Sequence, residues 1–83
     1  MATNQPVILN AGFQNVQDGA WSGAMQNVGN TPLVGLVRDV EAGTPSDTEG
    51  GFSIYSQPIP ISIGATETLW VRAVGDIGAI VLG

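Results

Sequence analysis

Eighty-three residues with no cysteine, histidine or lysine make one domain whose thin core has neither disulfides nor thiolate or imidazole metal sites to reinforce it, which leaves association as the remaining device. Two arginines against seven carboxylates give a net charge of −5, which lacks the basic footprint that nucleic acid or an anionic membrane requires. No apolar run reaches the ~18 residues of a membrane span, and the polar start Met1-Ala2-Thr3-Asn4-Gln5-Pro6 does not read as a signal peptide, so the expected origin is the cytoplasm.

Twelve glycines and five prolines are spread so evenly that helix-length windows are rare, whereas short strand patterns are abundant. Residues 1–12 read as an N-terminal arm, with the apolar triplet Val7-Ile8-Leu9 as a short strand lying outside the domain. The domain then covers 13–83. Its first strands are Gly12 to Gln17 and Ser22 to Val28, joined through Asp18-Gly19-Ala20, with a further turn at Gly29-Asn30-Thr31-Pro32.

Leu33 to Val40 is a long strand rich in β-branched residues, and Glu41 to Gly51 reads as an exposed acidic loop. Phe52 to Tyr55 alternates. In Pro58-Ile59-Pro60-Ile61-Ser62-Ile63 the three isoleucines share one face, and the prolines place the strand at a sheet edge. Leu69 to Val74 and Ala79 to Leu82 read as a hairpin closed by Gly75-Asp76-Ile77-Gly78. Six to seven short strands at this spacing predict an all-β fold, a small antiparallel β-sandwich or barrel with an extended N-terminal arm.

Catalysis finds little to work with. General bases at neutral pH are most often histidines, and nucleophiles need an activating neighbour. A glycosidase-like carboxylate pair needs a cleft that a sandwich of this size rarely offers. The expectation is therefore a protein that is not an enzyme and uses no cofactor. Asp39, Glu41, Asp47 and Glu49 could supply oxygen ligands to Ca²⁺, but their spacing does not fit an EF-hand and they read as a solvated loop, with no metal site expected.

The candidate partner-binding residues are Val7, Ile8 and Leu9, as an arm that adds a strand to a neighbour's sheet, and the aromatics Trp21, Tyr55 and Trp70. Trp70 faces opposite to Leu69 and Val71 in its strand, and core packing is the commoner fate of such a tryptophan, whereas Trp21, after a Gly-containing turn, is divided evenly between core and surface.

Three segments carry a resemblance: Ala24-Met25-Gln26-Asn27-Val28-Gly29-Asn30-Thr31-Pro32-Leu33-Val34, then Glu67-Thr68-Leu69-Trp70-Val71-Arg72-Ala73, then Gly78-Ala79-Ile80-Val81-Leu82. Over about residues 13–83 the chain resembles the small β-sandwich virion proteins of tailed bacteriophages. The resemblance implies a capsid decoration or cement protein, a viral structural protein on the outside of the virion, bound to the major capsid protein or other virion proteins. A monomer in solution and a homotrimer at a local threefold axis are the assemblies it allows. The alternative is a tail-associated or host-recognition module that binds a carbohydrate or receptor. Exposure of the aromatics separates the two, because a sugar site needs a solvent-facing ring whereas a structural subunit buries its rings in the core or against its partner.

Overall fold

A computed structural model describes residues 7–46, 50–75 and 77–82. Alternation of apolar and polar residues builds eight strands among them: β1 (Val7–Leu9), β2 (Gln14–Asp18), β3 (Trp21–Asn27), β4 (Leu33–Asp39), β5 (Phe52–Ile54), β6 (Ile59–Ile63), β7 (Glu67–Ala73) and β8 (Gly78–Leu82). They form two antiparallel four-stranded sheets, β1-β8-β3-β6 and β2-β7-β4-β5. The protein is thus an all-β sandwich.

The pairing is nested. β4 pairs with β5, β3 with β6, β2 with β7 and β1 with β8, as though one long hairpin had been closed from its middle outward. Rolling that hairpin adds the pairs β3–β8 and β4–β7 and splits the strands into two layers. Eight strands in this order have the wiring of a jelly roll.

This wiring corrects two expectations. The C-terminal strands do not form a hairpin: β7 lies in the second sheet between β2 and β4, and β8 lies in the first between β1 and β3, so neither has a free edge for the other. Gly75, at φ 100°, lies where the chain crosses between the layers; Asp76, in the same expected turn, is outside the described residues.

The triplet Val7-Ile8-Leu9 is likewise not outside the domain. It pairs with β8 in the register Val7↔Ile80, Ile8↔Ala79 and Leu9↔Gly78, and Leu9 is buried in the core. Burial of Leu9 favours pairing within the chain over an extended arm; residues 10–12 of the expected arm connect β1 to β2, the Asn10 carbonyl accepting from the Ala73 amide at 2.8 Å, and residues 1–6 are outside the described residues.

The inward faces meet in one cluster containing Leu9, Met25, Ile63, Ile80 and Leu82 from the first sheet and Leu33, Ile54, Leu69, Val71 and Ala73 from the second. Thr68 is a buried polar residue whose hydroxyl donates to Asp18 Oδ1 at 2.8 Å. Asn15 Nδ2 donates to the other carboxylate oxygen of Asp18 at 2.9 Å. These two bonds, Asn15 first, hold the Asp18 carboxyl below its ordinary range. The expected acidic loop begins instead as a 3₁₀ turn, Val40–Ala42, capped by Asp39, whose Oδ1 accepts from the Glu41 amide at 2.9 Å; Pro45 is buried.

Closure of β4 on β5 depends on glycine at position 51, where the crowding is against backbone. A Cβ on Gly51 would press on the backbone oxygen of Gly35, whereas one on the adjacent Gly50 would meet nothing within 4 Å. Gly51→Ala should therefore cost about 1–3 kcal/mol through backbone displacement, and Gly50→Ala should stay within about 0.5 kcal/mol. Urea unfolding of the two variants checks this, and equal midpoints would refute the contact.

Candidate interaction surfaces

Charge is divided unequally between the two layers. None of the four strands of the first sheet, VIL, WSGAMQN, IPISI and GAIVL, contains a charged residue. The described charged residues all belong to the second sheet or to the turn that follows β4: Asp18, Arg38, Asp39, Glu41, Glu67 and Arg72.

Strand register defines the outer face of the first sheet. Ile8 lies opposite Ala79, Gln26 opposite Val81, Ala24 opposite Pro60 and Ser22 opposite Ser62, and each pair alternates with core residues such as Leu9, Met25 and Ile80. Ile8 is 62% exposed, Pro60, Ser22 and Ser62 are exposed, and Ala24, Gln26, Ala79 and Val81 are half-buried. The result is an uncharged face of apolar and neutral polar side chains, with exposed Val28 and Ile77 near one end.

The second sheet presents different chemistry. Its outer face carries Val34, Leu36, Trp70, Thr68 and both arginines, with Leu36 opposite Trp70 and Val34 opposite Arg72. The Arg72 guanidinium lies 5.7 Å from the centroid of the Phe13 ring, and its Nη1 donates to the Ala11 carbonyl at 3.3 Å.

The sheet edges are less suited to strand addition than these faces. β1 and β5 have three residues each, β6 carries Pro60, and β2 is interrupted by a bulge between Asn15 and Gln17. Gln14 folds back over β1, donating from Nε2 to the Ile8 carbonyl at 3.5 Å and accepting from the Asn10 amide at 2.7 Å. Short, bulged, proline-bearing edges discourage pairing with another chain. Strand addition by Val7-Ile8-Leu9 is thereby replaced by pairing inside the molecule.

The expected site residues are scattered. Val7 packs on the core, Leu9 is within it, and Ile8 alone of the triplet faces outward. Trp21 begins β3 opposite Ile63 and packs on the core from the first sheet, while Trp70 lies half-buried on the far side of the sandwich. Tyr55, 63% exposed, follows β5. Residues that were not expected, Ala24, Gln26, Ala79 and Val81, complete the uncharged face. Their signal is the absence of charge at the non-core positions of four strands, and it becomes readable only once those strands are known to share a sheet.

A groove of about 440 Å³ opens at one end of the sandwich between the β3–β4 turn, β5 and Val74, and Tyr55 lines it. Asn27 braces it. Its Nδ2 donates to the Thr31 carbonyl at 2.9 Å, its Oδ1 accepts from the Gly29 amide at 3.0 Å, and its own amide donates to the Tyr55 carbonyl at 2.8 Å. Thr31 Oγ1 in turn donates to the Ile77 carbonyl at 2.8 Å.

Among the described residues no helix is long and apolar enough to cross a membrane. Comparison of the chain with protein-family models, with curated proteins and with solved structures found no match.

Proposed function

We propose that this protein is a non-enzymatic structural subunit of a bacteriophage virion, a decoration or cement protein that binds the outer capsid surface through the outer face of its first sheet. The observation that carries the reading is the lack of charge in that sheet within a chain of net charge −5. Charged side chains resist desolvation, so an uncharged face with exposed Ile8 and Pro60 is the surface of this molecule most readily covered by another protein.

The segments that resemble phage virion proteins support it. They fall on β3 through the start of β4, on β7 and on β8, strands central to both layers. Jelly-roll wiring occurs in viral capsid domains and also in lectins, so the fold agrees with the reading without selecting it. A chain without histidine, cysteine or lysine is poor in groups for acid-base or nucleophilic chemistry, which favours a binding role.

Mixing the purified chain with virus particles that lack it and sedimenting the mixture tests the proposal. The chain should pellet with the particles and saturate at a fixed ratio to the shell protein. A chain that stays in the supernatant at every ratio would overturn it.

A further inference from the structure

We infer that the groove beside Tyr55 is a binding site for a neutral saccharide, with the tyrosine ring as its stacking platform. Its volume of about 440 Å³ falls in the range of small-molecule sites. None of the described residues that line it is charged, so among them an ionic ligand would meet no counter-charge.

The lining has two characters. Pro32, Ile54 and Val74 are apolar lining residues beside the exposed Tyr55, and the exposed Asn30 and Ser53 bring an amide and a hydroxyl to the same lining. A pyranose has the matching division, with a C–H face to lay on an aromatic ring and hydroxyl groups to direct at neutral donors and acceptors.

The site is built in advance. The Asn27 bonds fix the β3–β4 turn to the end of β5, so little ordering remains to be done when a ligand arrives. Its position also suits a particle-bound protein. Val34 and Ser53, paired across β4 and β5, carry the groove onto the outer face of the second sheet, which leaves it open when the first sheet is covered. The inference stands on the groove and does not require the virion reading.

The test uses the full ¹⁵N-labelled chain, titrated separately with maltotriose and chitotriose up to about 20 mM, concentrations suited to millimolar dissociation constants. With at least one of the two sugars the amides of Asn30, Ser53 and Tyr55 should shift in a saturable manner. Tyr55→Ala should weaken that binding about tenfold or more, and Tyr55→Phe, which keeps the ring face, should retain most of it. The alanine variant keeps the backbone carbonyl that accepts from Asn27, and an unchanged spectrum away from the groove reports an intact fold. Absence of shifts with both sugars, shifts confined to another surface, or wild-type binding by Tyr55→Ala would overturn the inference.

Discussion

Leu69→Ala should lower stability by about 2–5 kcal/mol, the cost of a core cavity at a site that cannot collapse. Leu69 is fully buried in β7, opposite Val37 of β4 on one side and Gln17 of β2 on the other. It projects into the single cluster where the two layers meet. A domain of this length has a total stability of roughly 4–12 kcal/mol, so the loss is a large fraction of the whole. Thermal unfolding followed by circular dichroism should show a midpoint about 10–25 °C below wild type, or no folded baseline at all. A shift of less than about 4 °C would mean that the layers are not joined through this residue.

Ala24→Glu should abolish particle binding while leaving the fold in place. Ala24 lies near the middle of β3, a central strand of the first sheet, half-buried on its outer face opposite Pro60. A carboxylate there is solvated in the free protein. Covered by a shell protein, it becomes an uncompensated buried charge, whose cost of several kcal/mol corresponds to a loss of affinity of about a hundredfold or more. Ser53→Glu, on the outer face of the opposite sheet, should bind particles like wild type. Co-sedimentation of the two variants reads the difference directly, and equal binding by both would move the contact off the first sheet.

Much of the architecture is legible in the residues. The isoleucines at 59, 61 and 63, the alternation in Phe52 to Ile54 and the run beginning at Leu33 each describe a strand that the structure contains. The proline-bearing strand is an edge strand, as Pro60 requires. Partnership between strands is less legible, because local turn chemistry says that two strands are close in sequence and not which sheet each will join. Gly75 and Gly78 bracket a short connection of the kind that closes hairpins, yet β7 and β8 are each satisfied by other neighbours. β1 reads as part of an arm for the same reason, since its partner β8 lies at the other end of the chain.

The interaction surfaces follow the same division. Tryptophan and tyrosine attract notice by their chemistry, but the fold sends Trp21 and Trp70 to different sheets and leaves only the Tyr55 ring broadly exposed. The uncharged face draws on β1, β8, β3 and β6, four segments that no local pattern connects. Its residues are individually ordinary. They gain meaning from the nested pairing, which gathers four charge-free strands into one layer and leaves the described charged residues to the other layer and to the turn after β4.

The central claim, that this chain is a structural component of a virion surface, is tested most directly by quantitative mass spectrometry of purified particles from the host that produces it, measuring its copy number relative to the most abundant shell protein. The account predicts a ratio of order one per shell subunit or per capsomer. Absence from the particles would contradict it.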